Sequence, residues 1–154
     1  MTDYYLDSSA LVKRYVVETG SAWVSSLFDF ALNNEIFVGA VTSVEIIAAI
    51  TRRTRRGTIT APDAAAARSL FRIDLLSDYQ IVEITDIVIN RAMGLAELHE
   101  LRGYDALQLA AASEINSFLI GNGLPPIIFI SADNDLNVAA LSEGLIVDNP
   151  DAHE

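Results

Sequence analysis

Tyr4-Tyr5-Leu6-Asp7-Ser8-Ser9-Ala10-Leu11 is the stretch on which the reading of the chain turns. A short apolar run, broken by one aspartate and two serines and followed at once by Ala10, Leu11 and Val12, reads as a buried strand ending in an acid where a helix begins. In an open α/β sheet, ligands sit beyond the carboxyl ends of the strands, so Asp7 is expected on the floor of the site. Taken alone, Asp7 reads equally well as a helix N-cap. What separates the two readings is that an acid at such a boundary occurs three more times.

The second instance follows Glu35 to Val41, a short stretch read as a strand through Ile36, Phe37 and Val38. Thr42-Ser43-Val44-Glu45 then has the form of a capping box, with Thr42 capping and Glu45 reaching back to the helix start. The helix continues through Ile46, Ile47 and Ile50 to Arg52-Arg53-Thr54-Arg55-Arg56 and is closed by Gly57. The third instance is Asp105, in the first turn of a helix that opens at Gly103 and runs on through small and apolar residues to about Leu119. Dipole complementation alone would account for an acid there. The face made by Ala106, Leu109 and Ala110 is nevertheless expected to be buried, which puts Asp105 at the edge of the core. The fourth follows Ile127-Ile128-Phe129-Ile130, a wholly apolar run of the kind that makes a central parallel strand. It ends in Ser131-Ala132-Asp133-Asn134-Asp135, and a helix from about Leu136 to Glu143 follows, closed by Gly144.

The remaining segments fill in the alternation. Ser9 to Val17 has helical spacing and is broken by Glu18-Thr19-Gly20. A helix is expected from Ser21 to Asn33, with Trp23, Leu27, Phe30 and Ala31 on a core face. Thr60-Ala61-Pro62-Asp63 starts a helix that reaches about Leu76. Tyr79 to Ile84 is a third strand, and Thr85-Asp86 opens a helix to Glu100. That helix carries His99, read as a surface residue because no second ligand stands at metal spacing. Leu145-Ile146-Val147 is a last strand. Strands and helices thus alternate throughout, which argues for an α/β fold: one domain over residues 1–150, with a central, mostly parallel sheet flanked by helices on both faces. Residues 151–154 end a polar tail. Right-handed crossovers place the helix starts that follow strands at one sheet edge, so Asp7, Glu45 and Asp133 converge there. Asp105 joins them if its helix begins at the same edge.

Composition bounds the function. A chain of 154 residues is long enough for one self-sufficient core. The absence of cysteine excludes a disulfide scaffold and thiolate metal sites and fits a reducing, cytoplasmic setting. No secretory signal opens the sequence, and no apolar run reaches the roughly 18 residues of a membrane span. Ten basic against 21 acidic residues give a net charge of −11, a poor start for binding nucleic acid unless cations mediate it. Four of the ten basic residues lie between Arg52 and Arg56. They complement a helix end, and they are also the best candidate for a phosphate or partner contact.

Four carboxylates at one edge repel one another, and without compensation at least one is expected to titrate high. A divalent cation removes the conflict. Oxygen-only ligands favour Mg²⁺ or Mn²⁺ over zinc. Such ions acidify bound water and clamp the oxygens of a phosphodiester. The expected reaction is metal-assisted phosphodiester hydrolysis.

The segments YYLDSSALVK, TSVEIIAAI, LRGYDALQLAAAS and FISADNDLNVAALSEGLIVDNP resemble, in order and spacing, the four acidic motifs of PIN-domain proteins. They look most like the VapC toxins of bacterial and archaeal toxin–antitoxin pairs. The resemblance implies a five-stranded parallel sheet and a metal-dependent ribonuclease. It implies Asp7 and Asp105 as principal Mg²⁺ ligands, Asp133 rather than Asp135 completing the pocket, and Glu45 holding metal through water or positioning the nucleophile. Ser9 matches a position where the family carries Ser or Thr bonded to the acids. Ser9, Arg52 and Arg53 are the candidate RNA contacts, and Arg102 is expected to pair with Asp105 as a helix neighbour. The resemblance further implies a homodimer and an antitoxin whose basic or amphipathic tail covers the site. Two other readings compete. A non-catalytic module of the same fold could bind a basic partner, although the presence of all four acids weighs against it. A phosphatase-like enzyme could use Asp7 as nucleophile, but that chemistry wants a second acid where Ser9 stands.

Overall fold

The computed structural model describes residues 1–154. In chain order it holds β1 (Asp3–Leu6), α1 (Ser8–Leu11), α2 (Ser21–Ser26), β2 (Glu35–Gly39), α3 (Thr42–Arg55), α4 (Ala61–Ser77), β3 (Gln80–Val82), α5 (Asp86–His99), α6 (Gly103–Gly121), β4 (Ile128–Ile130), α7 (Asn134–Ser142) and β5 (Ile146–Asp148), with 3₁₀ turns at Val12–Arg14, Phe30–Leu32 and Pro150–Ala152. All five strands are parallel and lie in the order β3-β2-β1-β4-β5. The chain leaves β1 towards β2 and β3, then returns to the other side of β1 as β4 and β5. That reversal opens a crevice beyond the carboxyl ends of β1 and β4, where α/β sheets place ligands.

The strands sort their side chains by strict alternation. Tyr5, Phe37 and Phe129 are in register across three strands and point to the face covered by α5, α6 and α7. Leu6, Ile36, Val38 and Ile130 point to the opposite face, where they meet α1, α3 and α4. Both faces are sealed, which is why the strands read as unbroken apolar runs. The α/β class, the five parallel strands and the helices on both faces are those expected from the sequence. No helix is long and apolar enough to cross a membrane.

Local differences have local causes. The helix expected over residues 9–17 is α1 followed by a 3₁₀ turn, and Ala10, Leu11, Val12 and Lys13 are all buried. The helix expected over 21–33 stops at Ser26. Asp29 accepts from the Ala31 amide at 2.9 Å and starts a separate 3₁₀ turn, a side-chain alternative to continuing the helix. Phe30 is consequently 97% exposed rather than in the core. The polar segment after Asp148 is docked. Asp151 meets the buried Lys13 ammonium at 2.7 Å, and the His153 ring stacks on Trp23 with centroids 4.0 Å apart.

Candidate active site

Each of the four acids stands at or within the first turn of a helix. Asp7 follows β1 directly and caps α1: its Oδ1 accepts from the Ala10 amide at 2.9 Å. Capping and site are therefore both true of it. Ser9 Oγ donates to the same oxygen at 2.7 Å, and Ser131 Oγ donates to Oδ2 at 2.6 Å. The two serines are themselves held, since the Ala132 amide donates to Ser9 Oγ and the Asp133 amide to Ser131 Oγ. These bonds tie the end of β1 to the end of β4. Burial nonetheless pushes the Asp7 carboxyl up to about 6, against the pull of the two serine hydroxyls and the amide, with Glu45 adding to the rise.

Glu45 is not part of a capping box. The residue preceding α3 is Val41, with no side-chain cap, and the Thr42 hydroxyl is taken by Gln108. Gln108 Nε2 donates to Thr42 Oγ1 at 2.8 Å and to Glu45 Oε1 at 2.7 Å, while its Oε1 accepts from the Tyr5 hydroxyl at 2.7 Å. Ser8 Oγ donates to Glu45 Oε2 at 2.9 Å. A tertiary partner has thus outcompeted the local motif, and both carboxylate oxygens are aimed by donors on other helices.

Asp105 completes the convergence. Since Gln108, one turn further along α6, reaches Glu45, the start of α6 lies at the same sheet edge as the other acids. The Asp105 carboxyl is raised by burial first, then by the charges of Asp133 and Glu45; Arg102 opposes the rise without closing the expected ion pair. It accepts no hydrogen bond from the protein, which leaves both oxygens available. Asp133 Oδ1 caps α7 by accepting from the Leu136 amide at 3.1 Å, and Asp135 is exposed.

The donor set is oxygen-only; on top of burial, Glu45 pushes the Asp7 carboxyl up and Asp133 and Glu45 push that of Asp105 up, with Arg102 opposing the latter rise. This is the chemistry that suits a hard divalent cation. Asn137 Oδ1 is a buried oxygen without a partner, on the residue whose Nδ2 holds the Ser131 carbonyl. At the same time, no three acids or histidines come together tightly enough to cage an ion by themselves. The residues fit a cation in kind and charge, with Asp105 the carboxylate that no protein donor engages.

A cleft of about 510 Å³ opens beside Glu45, the one of the four acids on its wall, with Ser8, Ser9, Arg52, Arg53 and Tyr104 among its other lining residues. All three side chains expected to contact substrate, Ser9, Arg52 and Arg53, are on its wall. Arg53 is already engaged by Glu18 at 3.0 Å and by the Ala49 carbonyl at 3.2 Å, whereas Arg52 is exposed. Sequence reading missed Gln108, Ser131, Ser8 and Tyr5. Gln108 carried a signal, as the single polar side chain in the run Ala106 to Ala112. Ser131 carried a weaker one, as the first polar residue after an apolar strand.

Comparison with known proteins agrees with this geometry. Residues 4–140 match the family model described as PIN domain. Ribonuclease VapC45 of Mycobacterium tuberculosis (strain CDC 1551 / Oshkosh) is 31% identical over 140 residues, covering 91% of this chain and 90% of that protein. Among solved structures, FitAcB from Neisseria gonorrhoeae superposes with a TM-score of 0.65 at 16% identity, covering 98% of this chain and 99% of that one. A toxin–antitoxin complex from Klebsiella pneumoniae gives 0.61 at 15% identity, with 96% and 97% covered.

Proposed function

We propose, since this chain belongs to the PIN-domain family and is a relative of the VapC ribonucleases, that it is the toxin of a VapBC-type toxin–antitoxin pair: an Mg²⁺- or Mn²⁺-dependent endoribonuclease cutting selected RNAs. The observation that carries the reading is the meeting of the helix starts that bear Asp7, Glu45, Asp105 and Asp133 beyond the carboxyl ends of β1, β2 and β4, where Ser8, Gln108 and Ser131 link them by hydrogen bonds. The word ribonuclease in the name of the 31%-identical relative supports RNA as the substrate. A toxin–antitoxin complex among the structures of the same fold supports a protein antitoxin as partner. A homodimer is the assembly the family resemblance suggests.

Asp7, Asp105 and Asp133 would hold the cation. Bound there, Mg²⁺ or Mn²⁺ would neutralise the carboxylates, acidify the attacking water and steady the leaving oxygen. Glu45 is the positioning base. Gln108 and Ser8 each occupy one of its oxygens and leave lone pairs to orient the water and accept its proton. Ser9 and Ser131 fix the Asp7 carboxylate so that it need not reorganise during the reaction. Arg52 supplies positive charge on the wall where the polyanion enters, with Arg53 beside it held by Glu18.

The test is cleavage of RNA by the purified chain with Mg²⁺ or Mn²⁺ and with EDTA. Activity should require the metal and fall at least a hundredfold in Asp105→Asn. Undiminished cutting by both Asp7→Asn and Asp105→Asn, with circular dichroism showing them folded, would dispose of the assignment.

A further inference from the structure

Glu45, Arg52 and Arg56 lie along α3 and its cap at spacings of seven and four residues. At 3.6 residues per turn they fall within about 20° of a common line along the helix, and Arg56 keeps the right-handed helical conformation that extends this line. At 1.5 Å per residue, Arg52 is about 10 Å and Arg56 about 16 Å from Glu45 along the axis. The cleft that holds Glu45 and Arg52 continues into a second hollow, of about 460 Å³, walled by Arg52, Arg53, Arg56 and Thr58. Within this groove Arg53 is neutralised by Glu18. Arg52 and Arg56 are exposed and form no ion pair, although the chain carries 21 acids. Arg55 is off the line and lines a neighbouring hollow with Ser43 and Ile47, which Arg52 also borders, but not the hollow that holds Arg56.

We propose that α3 is a ruler for a single RNA strand, holding backbone phosphates on one side of the cut. The proposal rests on the ribonuclease reading above. With the scissile phosphate at the Glu45 end, a strand laid along α3 meets Arg52 nearer the cut and Arg56 further from it. The footprint on α3 is one-sided, because Arg52 and Arg56 both lie on the C-terminal side of Glu45 along the helix. It also gives an acidic protein a local line of positive charge on which a polyanion can settle.

The test uses single-stranded oligoribonucleotides trimmed one nucleotide at a time from either end. Binding is read by fluorescence anisotropy with Mg²⁺ in the uncutting Asp7→Asn chain. Adding Arg52→Gln or Arg56→Gln should raise Kd about two- to fivefold each and lower the slope of log Kd against log salt by about 0.7 each. Arg55→Gln should do neither. Trimming from one end should abolish the Arg56 effect first and the Arg52 effect next, while trimming from the other end should abolish neither. Unchanged Kd and slope in both variants overturn the proposal, as does a penalty lost equally from both ends. Loss of a co-purifying protein with RNA binding intact makes the groove a partner surface and overturns it too. Binding that depends on Arg52 and Arg56 without any cutting by the native chain would count against the ribonuclease reading alone. Cutting with binding indifferent to both arginines would count against the ruler alone.

Discussion

The Gln108 amide donates to Glu45 Oε1 at 2.7 Å across 63 residues of sequence and joins the catalytic edge to the core through the Tyr5 hydroxyl. Both amide protons and one lone pair of its oxygen are used, and the residue is 1% exposed. Gln108→Leu would leave the Tyr5 hydroxyl and the Thr42 oxygen without this partner and Glu45 with one donor fewer. Each stranded buried group costs about 1–3 kcal/mol. Urea unfolding should show a loss of about 2–6 kcal/mol for the two together. Cleavage should fall about 10–100-fold, the usual size of an effect on a group one step removed from the metal. The fall should lie in kcat, with KM near its native value, because Gln108 orients Glu45 and touches no substrate. An equal rise in KM would assign Gln108 a different role.

Gly39 permits that network. A methyl group there would stand 2.6 Å from the Tyr5 hydroxyl oxygen and 3.4 Å from Gln108 Oε1. Gly39→Ala should therefore destabilise by about 1–3 kcal/mol, as overpacking does, and lower activity through Gln108. Tyr5→Phe removes the clashing oxygen. The double variant Gly39→Ala/Tyr5→Phe should consequently be less destabilised than the sum of the two singles. Simple additivity in thermal melts would show that the clash is relieved elsewhere.

Asp7 makes the site a liability to the fold. Its carboxyl titrates at about 6 in the folded chain against 3.8 as a free group. The folded state therefore holds an extra proton between those values. This contribution to stability is complete below about pH 3.8 and is lost as the pH rises through about 6, to a total of about 3 kcal/mol. At pH 7.5 without metal, Asp7→Asn should melt at or above the native chain although it does not cut, and the difference should shrink towards pH 4. Mn²⁺ should raise the native melting temperature and leave the variant's nearly unchanged. The metal-induced gain should weaken at pH 5, where protons compete for the carboxylate. A variant less stable than the native chain at pH 7.5 without metal would contradict the buried charge.

These relationships also explain what the sequence could and could not reveal. Asp7 and Asp133 were legible because each closes a strand that is buried on both faces, and such strands announce themselves as apolar runs. Asp105 was legible as a helix-start acid but not as a neighbour of Glu45, since that depends on how α6 is packed. The capping box at Thr42 and Glu45 was a sound local reading that lost to Gln108, a partner 63 residues from Glu45. The interruption after α2 could have been read from Asp29, whose side chain offers its own turn. No local signal announced the docking of the C-terminal segment, because its contacts are with Lys13, Gly20 and Trp23 at the other end of the chain.

That docking yields the last prediction. The Lys13 ammonium is 5% exposed and is shared by Asp151 at 2.7 Å, Glu18 at 3.2 Å and the Thr19 carbonyl at 2.8 Å. Gly20, at φ 82°, lets the turn pass beneath Pro150, whose carbonyl oxygen would lie 2.3 Å from any Cβ placed there. Asp151→Asn weakens one contact of a cation that keeps two others, so it should cost only about 1 kcal/mol, as for a half-exposed pair. Lys13→Met removes the shared centre and leaves Asp151 unpaired beside Glu18, which keeps only Arg53. It should cost more than Asp151→Asn, about 2–3 kcal/mol, since both acids retain partial solvation. Gly20→Ala should match or exceed it, because it imposes both a left-handed strain and a collision with backbone. Since Glu18 also holds Arg53, Lys13→Met should further loosen that arginine and change the salt dependence of RNA binding, which Asp151→Asn should not. Equal stability of all three variants in guanidinium titrations would mean that the C-terminal turn rests on the fold without bracing it.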